Sequence, residues 1–351
     1  MNFHQVYTST LMPEMTDHQI IGGLNQLHQL YTTHRQNLRE DPLNEQMVSS
    51  YSLFYLLTNG PKLDFVFQKL PSSIQQKLLE LPLMDIGTGP GTYLWPLFNL
   101  GRRGVTYGVD RSPLMLSQAE KLRADHYSDH EILWGQSVPT TFPQKGVLFF
   151  GNSINEIGVS KVISLVEKFQ PEMIFWIEPG TRELSFELLK LRDFLSTQDF
   201  NVAYPCSTIK GKCPMVLRNE EAWCHQILRM THEPEVERIS QLVKLDRKSM
   251  AMNAHVYYRY NQSKIVEHET ATMVRFLTET KHSFEWEVCL EKDGTNTIIV
   301  FEIPKRELTK TQTKSLQKES VGIRFSYQTT KILSDNKWRI KLIDYPQSTI
   351  I

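Results

Sequence analysis

Three glycines at alternating positions form the segment of this chain with the clearest chemical meaning. Gly87, Gly89 and Gly91 lie within DIGTGPGT at residues 85–92, directly after a short apolar run. Glycine lets the backbone turn sharply and approach a ligand without side-chain obstruction. The next apolar run ends at Asp110, where an acid accepts hydrogen bonds from ribose hydroxyls. This spacing predicts a nucleoside-binding pocket, with Asp85 at the start of the glycine turn.

The type of nucleotide follows from the spacing of the glycines. NAD-binding turns usually run GxGxxG, whereas the third glycine here comes two residues after the second. The pattern LMDIGTGPGT followed by YGVD resembles the first two motifs of class I methyltransferases. We therefore predict S-adenosylmethionine as the cofactor, bound by Asp85, Gly87, Gly89, Gly91 and Asp110.

The segment after the fourth predicted strand does not identify a catalytic residue. Methyltransferases that act on the amino groups of bases usually carry an Asp/Asn-Pro-Pro-aromatic turn there, whose aromatic ring stacks on a flipped base. This chain has GNSINE at residues 151–156 instead. Asn152 and Glu156 are polar and are predicted to line the pocket, with Asn152 in the cofactor-binding set.

The four cysteines, Cys206, Cys213, Cys224 and Cys289, are widely and unevenly spaced. Zinc ribbons favour paired C-x2-C knuckles, and the sequence contains no such pair. Wide spacing in a loop-rich region suits an iron–sulfur cluster, whose size requires thiolates that converge from further apart. Buried free thiols and two disulfides are the alternatives, and a cytoplasmic chain disfavours the disulfides.

Strand and helix patterns alternate from residue 83 to residue 200, which predicts a parallel sheet with crossover helices. The predicted fold class is α/β: a class I methyltransferase, Rossmann-like sheet with N-terminal helices, a cysteine-bearing insertion and a small C-terminal β unit. The insertion is expected to contain helices near 219–230 and 233–246. The predicted units are an N-terminal helical region (1–80), the sheet domain (81–203 with 255–270), the insertion (204–254), and a β-hairpin with a basic β unit (271–351).

The sequence predicts no transmembrane helix. The 351 residues carry 39 basic and 39 acidic side chains, and 40% are hydrophobic, as in ordinary globular proteins. No apolar run approaches the roughly 18 residues of a membrane span, and the first residues lack the pattern of a signal or transit peptide. We therefore expect a cytoplasmic protein without membrane association.

The C-terminal part has an excess of positive charge. Ten Lys and Arg but only three acids lie between Lys305 and Lys341. Such an excess can follow a phosphate backbone, or it can be a solvated surface that binds nothing in particular. The sequence leaves both interpretations open.

Beyond these local patterns, the chain resembles the methyltransferase-like proteins associated with the mitochondrial small ribosomal subunit and their bacterial relatives. The resemblance runs from about residue 45 to about residue 305. It rests on DIGTGPGT (85–92), IEPGT (177–181) with a following helix that contains Arg192, YPCSTIKGKCP (204–214), WCHQILR (223–229) and VCLEKDG (288–294).

This resemblance implies a ligand for the cysteines and a partner for the protein. Four cysteines in that family are held to bind a 4Fe–4S cluster, and the matching positions are Cys206, Cys213, Cys224 and Cys289. Zinc is the second candidate. The resemblance further implies that the small ribosomal subunit and its rRNA are the partners, and we expect a monomer off the ribosome.

The chain departs from the family where substrate recognition is expected. Arg182-Glu183-Leu184 follows the EPGT turn in place of a common Pro-x-Gly, and Ser207-Thr208 follows the first cysteine in place of Pro-His. The principal function hypothesis is a methyltransferase-like protein that binds S-adenosylmethionine and a 4Fe–4S cluster and acts on small-subunit rRNA. The alternatives are a ribosome assembly factor without catalysis and a small-molecule methyltransferase with structural zinc.

Overall fold

A twisted, mostly parallel sheet forms the centre of the computed structural model, which describes residues 1–32, 42–217, 223–259, 269–317 and 321–343. Its strands follow one another in the order β3-β2-β1-β4-β5-β8-β6, and β7 pairs with β8. Their bounds are β1 (Leu83–Ile86), β2 (Thr106–Val109), β3 (Ile132–Gly135), β4 (Val147–Gly151), β5 (Met173–Pro179), β6 (Phe200–Tyr204), β7 (Gln226–Arg229) and β8 (Ser249–Arg259).

The strand order confirms the predicted fold class. The seven strands of the main path are parallel to one another except β8, which lies between β5 and β6 and runs antiparallel to both. The order reverses between β1 and β4, and ligands of doubly wound sheets bind at the carboxyl ends of the strands beside such a reversal.

Apolar strands and amphipathic helices explain why this sheet forms. The strands β1, β4 and β5 are buried almost throughout, as expected for parallel strands that are covered on both faces. Two hydrophobic clusters lie on opposite faces of the sheet. The helices that follow the strands are α7 (Leu94–Asn99), α8 (Pro113–His126), α9 (Ile154–Ile157), α10 (Val159–Phe169) and α11 (Arg182–Ser196).

The N-terminal helices share a core with the sheet. Leu27, Phe54 and Leu63 pack in the same cluster as Leu83 and Phe149 of the strands. A π-helical turn, Ser52–Leu56, interrupts this helical region. The helices are α1 (Phe3–Thr8), α2 (Asp17–Thr32), α3 (Glu45–Tyr51), α4 (Leu57–Asn59), α5 (Pro61–Phe67) and α6 (Ser72–Glu80).

The insertion after β6 contains α12 (Pro214–Leu217), the strand β7 and α13 (Pro234–Leu242). The helix predicted near 233–246 is therefore present. The helix predicted near 219–230 is wrong from Gln226 to Arg229, because these residues pair with β8 in the central sheet. Residues 219–222 of that prediction lie outside the described residues, as do 33–41, 260–268, 318–320 and 344–351 of the predicted units.

The C-terminal unit is a closed five-stranded barrel. Its strands are β9 (Glu269–Glu279), β10 (Ser283–Lys292), β11 (Thr295–Pro304), β12 (Arg324–Ser334) and β13 (Lys337–Leu342), closed in the order β10-β11-β13-β12-β9. The first three form an antiparallel meander, β11 and β13 are parallel, and α14 (Lys310–Leu316) connects β11 to β12. This is the arrangement of an OB-fold barrel. The predicted hairpin and the predicted β unit are thus parts of one barrel.

The basic residues of the C-terminal part belong to this barrel. Lys305 pairs with Glu279, Lys337 with Glu285 and Arg339 with Glu302. Lys318 lies outside the described residues. Among the described residues, no helix is long and apolar enough to span a lipid bilayer.

Candidate cofactor cleft and cysteine site

The glycine turn after β1 has the conformation that its sequence predicts. All three glycines have positive φ angles, 79° at Gly87, 55° at Gly89 and 81° at Gly91. A Cβ atom at Gly87 would lie 2.4 Å from the Cβ of Ser153, and one at Gly91 would lie 2.4 Å from the ring of Trp95. A Cβ atom at Gly89 would meet nothing within 4 Å. Gly87 and Gly91 therefore permit close packing, and Gly89 faces open space.

The two acids at the ends of β1 and β2 hold this turn in different ways. Asp110 accepts the Gly89 N–H at 2.8 Å and the Ser112 N–H at 2.9 Å. A carboxylate is a strong hydrogen-bond acceptor, which makes Asp110 chemically suited to ribose hydroxyls. Asp85 is buried and accepts the Thr88 hydroxyl at 2.7 Å, while its Oδ1 has no partner. Burial raises the pKa of Asp85 to about 7.

A cleft of about 340 Å³ opens beside the turn, at the carboxyl ends of the central strands. Of the residues predicted to bind the cofactor, Gly87, Gly89, Asp110 and Asn152 line this cleft. Asp85 and Gly91 do not line the cleft, and they support the conformation of the turn instead. The geometry therefore brings the predicted set together but divides it into residues that face the cleft and residues that support it.

Tyrosines of the N-terminal helices form an aromatic wall of this cleft. Tyr31, Tyr51 and Tyr55 line it, with ring centroids 6.4 Å apart for Tyr31–Tyr51 and 5.3 Å apart for Tyr51–Tyr55. Residues four apart share one face of a helix, and π-helical turns such as Ser52–Leu56 are frequent at functional sites. The sequence analysis missed these aromatics because they precede the glycine turn by more than 30 residues. The available signal in the sequence was the four-residue spacing of Tyr51 and Tyr55, which places both rings on one helix face.

The segment after β4 is organised by a buried glutamate that the sequence analysis also missed. Glu178, at the end of β5, accepts the N–H groups of Ser153 and Ile154 through Oε1, each at 2.8 Å. Its Oε2 is buried without a partner, and burial raises the pKa of this carboxyl to about 8. Asn152 adopts a φ of 56° and donates from Nδ2 to the Tyr93 hydroxyl at 3.1 Å. The GNSINE turn is thus fixed without prolines.

Two cations line the same cleft. Lys62 of α5 is only 4% exposed, and burial together with the charge of Arg247 lowers the pKa of its ammonium to about 7. The Arg247 guanidinium lies 5.0 Å from the centroid of the Tyr55 ring. A buried lysine is rarely evident in a sequence, because most lysines are exposed.

The four cysteines converge from four separate segments. Cys206 follows β6, Cys213 precedes α12, Cys224 precedes β7, and Cys289 lies on β10 of the barrel. Cys213, Cys224 and Cys289 pack in one cluster. Burial raises the pKa of Cys289, and negative charge on any of the other three thiols raises it further. All four are free thiols, and burial raises the pKa of each of them. The neutral thiol is therefore favoured unless a cation is bound.

Arg192 organises the loop that connects the first two cysteines. Its side chain is 1% exposed and donates to the carbonyl oxygens of Ile209 and Gly211, each at 3.0 Å. The positive charge of Arg192 also lowers the pKa values of the Cys206 and Cys213 thiols, which opposes the increase caused by burial. Within the described ranges, no three His, Cys, Asp or Glu side chains are grouped as ligands of one metal ion. The donors are thus near one another but not arranged around a single ion.

The outer face of the barrel is partly covered by this site. OB-fold barrels usually bind their ligands on the face of the second and third strands, which are β10 and β11 here. On that face Asn296 donates to the Thr208 carbonyl at 2.6 Å, and Ile298 packs beside Cys289. The insertion therefore occupies part of the surface on which other OB folds bind ligands.

Comparison with known proteins gives one family match. A family model described as mitochondrial small ribosomal subunit Rsm22 matches residues 54–312. No curated protein matches the chain significantly.

Solved methyltransferases are among the similar structures. Magnesium protoporphyrin IX methyltransferase from Synechocystis PCC 6803, with bound SAM, has 12% identity and a TM-score of 0.38, covering 70% of this chain and 98% of that chain. Precorrin-6y C5,15-methyltransferase from Geobacter metallireducens GS-15 has 15% identity and a TM-score of 0.36, covering 56% and 87%. Likeness of this degree says nothing about substrate.

Proposed function

The chain belongs to the mitochondrial small ribosomal subunit Rsm22 family, and we propose that it binds S-adenosylmethionine and acts on the small ribosomal subunit and its rRNA. The observation that carries the cofactor proposal is the contact between Asp110 and the Gly89 N–H at the lip of an open cleft. This contact joins the acid proposed to bind the ribose to the one glycine of the turn that faces open space.

The residues of the cleft fit the cofactor. The backbone at Gly87 and Gly89 would hold its methionine part, Asp110 its ribose hydroxyls, and Asn152 would contact it from the β4 side. S-adenosylmethionine, when bound, supplies an activated methyl group. Asp85 and Gly91 would act indirectly, by holding the turn in the conformation that the ligand meets.

Replacing Asp110 by alanine tests the cofactor site. We expect the affinity for S-adenosylmethionine to fall by about 10- to 100-fold, because charge-assisted hydrogen bonds to both the ribose and the Gly89 N–H are lost. Isothermal titration calorimetry measures this, and the exposed Asp125, replaced by alanine, is the matched control. Equal affinity in the Asp110 variant and the wild type would contradict the assignment.

Binding and catalysis require separate experiments. Isolated small ribosomal subunits incubated with the protein and radiolabelled S-adenosylmethionine would report methyl transfer to rRNA. Transfer supports an rRNA methyltransferase. Binding of cofactor and subunit without transfer supports the alternative, an assembly factor without catalysis, which the lack of an Asp/Asn-Pro-Pro-aromatic turn favours.

We propose further that Cys206, Cys213, Cys224 and Cys289 bind a 4Fe–4S cluster. Four free thiols in one buried region, with a guanidinium beside them, support this proposal. A cluster binds its four thiolates through different irons, so its ligands need not surround one ion as zinc ligands do. The bound cluster would supply a rigid link between the insertion and the barrel.

Anaerobic purification followed by iron, sulfide and zinc analysis tests the cluster. A brown protein with about four irons and four sulfides per chain supports it. A colourless protein with one zinc per chain would contradict it and would favour the remaining alternative, a small-molecule methyltransferase with structural zinc. A cytoplasmic location and a monomeric state off the ribosome stay predictions, to be tested by fractionation and light scattering.

A further inference from the structure

Two basic side chains on one wall of the cleft have no carboxylate partner among the described residues. Lys62 and Arg247 both line the cleft, and within the described part of the chain neither forms an ion pair with a carboxylate. Lys62 is 4% exposed and lines the cleft. A buried ammonium without a counter-charge is costly, so a folded protein tolerates one mainly where a ligand compensates it.

The surroundings of these cations favour an anion from outside. Glu178 is the acid whose charge acts on Lys62, yet its own carboxyl is buried with a raised pKa, so it is largely neutral at pH 7. The Glu178 Oε2 is also without a partner. Arg247 lies over the Tyr55 ring, which fixes its guanidinium at the edge of the cleft. The wall therefore presents two basic groups, Lys62 and Arg247, beside an aromatic face.

We propose that Lys62 and Arg247 form a binding site for an oxyanion of the ligand that occupies the cleft. Guanidinium and ammonium groups bind carboxylate and phosphate through charge-assisted hydrogen bonds. The oxyanion has two possible sources, the carboxylate of the methionyl part of the cofactor and a phosphate of a nucleotide substrate. The first source rests on the proposed function, whereas binding of a phosphate does not.

The residues facing Lys62 also determine how stability responds to its removal. Its neighbours are Arg247 of the segment before β8, Glu178 of β5 and Tyr55 of the π-helix. A lysine pKa lowered to about 7 means that the unfolded chain binds the proton more tightly, so Lys62 destabilises the fold below pH 7. This destabilisation is relieved as the pH rises from 7 towards the ordinary lysine value.

Replacing Lys62 by methionine is therefore expected to raise the thermal midpoint of the ligand-free protein at pH 6, and to raise it less at pH 9. Methionine retains most of the side-chain volume and removes the buried charge. Differential scanning fluorimetry across this pH range measures the shift. A lower midpoint at pH 6 would mean that the ammonium stabilises the fold through a partner within the protein, and it would overturn the proposal.

Calorimetry with four probes identifies the anion. S-adenosylhomocysteine is compared with 5′-methylthioadenosine, which lacks the carboxylate, and cytidine 5′-monophosphate is compared with inorganic phosphate. The variants are Lys62→Met and Arg247→Met, with the exposed Lys161→Met as control. We expect each cleft variant to lower the affinity for the anionic ligand by about tenfold or more, because one charge-assisted hydrogen bond is lost.

The pattern of losses distinguishes the sources. Weaker S-adenosylhomocysteine binding with unchanged 5′-methylthioadenosine binding supports the cofactor carboxylate. Weaker binding of the monophosphate or of phosphate, with unchanged S-adenosylhomocysteine binding, supports a substrate phosphate. Unchanged binding of every probe in both variants would overturn the anion site. If the wild type bound phosphate but no S-adenosylhomocysteine, the proposed function would fail while the anion site remained.

Discussion

Replacing Gly91 by alanine is expected to lower the free energy of unfolding by about 3–4 kcal/mol, whereas the same change at Gly89 is expected to lower it by only about 1–2 kcal/mol. Both glycines have positive φ angles, so a side chain introduces backbone strain of roughly 1–2 kcal/mol at either position. The additional loss at Gly91 comes from Trp95, whose ring lies 2.4 Å from the position of the new Cβ atom.

Trp95 has little freedom to move away from that Cβ atom. It is 1% exposed, donates from Nε1 to the Pro90 carbonyl at 2.9 Å and stacks on Tyr127 at a centroid distance of 5.1 Å. At Gly89 the new methyl group projects instead into the space that the cofactor would fill. The Gly89 variant should therefore remain folded and bind S-adenosylmethionine at least tenfold more weakly, which is a loss of about 1.4 kcal/mol.

Urea denaturation measures the stability of both variants, and calorimetry measures cofactor binding by the one that stays folded. The two variants are controls for each other, because the same atom is added to neighbouring positions of one turn. Equal losses of stability would show that Trp95 moves aside. Full cofactor affinity in the Gly89 variant would show that the ligand does not approach this glycine.

Replacing Cys289 by serine is expected to remove the visible iron–sulfur absorption and to lower the thermal midpoint by about 4 °C, the shift that corresponds to roughly 3 kcal/mol in a chain of 351 residues. Cys289 is the one cysteine contributed by the barrel, and the other three come from the insertion and its flanks. Since binding of a structural metal centre contributes directly to folding free energy, its loss also weakens the attachment of the barrel.

Contacts that do not involve the cluster limit the size of this effect. Asn296 and Thr208 exchange hydrogen bonds across the same interface, and the Arg324 guanidinium donates to the Ala203 carbonyl at 2.7 Å. We therefore expect the barrel to stay folded in the variant while its boundary with the insertion becomes accessible. Hydrogen exchange should increase at residues 206–213 and on β10, and the sheet around β4 should keep its protection.

Met215→Leu is the matched control for the cysteine change. Met215 is 3% exposed and packs in the same cluster as Cys213, and a swap of similar volume in a core usually costs less than about 1.5 kcal/mol. This variant should keep the iron and the colour. Full iron content in the Cys289→Ser protein would show that Cys289 is not a ligand.

The sequence made the α/β class, the nucleotide turn and the approximate limits of the sheet predictable. These features depend on local patterns: apolar runs, three glycines at alternate positions and an acid at the end of the next strand. Asp110 and Gly89 are 21 residues apart, yet their contact could be anticipated because a βαβ unit brings the ends of adjacent parallel strands together. The strand at Gln226–Arg229 could not, because its pairing partner is supplied by β8 at a distance in the chain.

What the sequence alone determined was the identity of the groups: a glycine turn, its two acids and four thiols, each marked by residue type and spacing. Only the tertiary structure decided which of them face the cleft and which additional groups join them. Lys62, Tyr51, Glu178 and Arg247 come from helices, a strand and the insertion, and they meet only when these elements pack. The same holds for Cys289, which approaches the other cysteines because the barrel packs against the insertion. The physical reason is that burial and electrostatic environment depend on long-range packing, whereas turn geometry is set by a few adjacent residues.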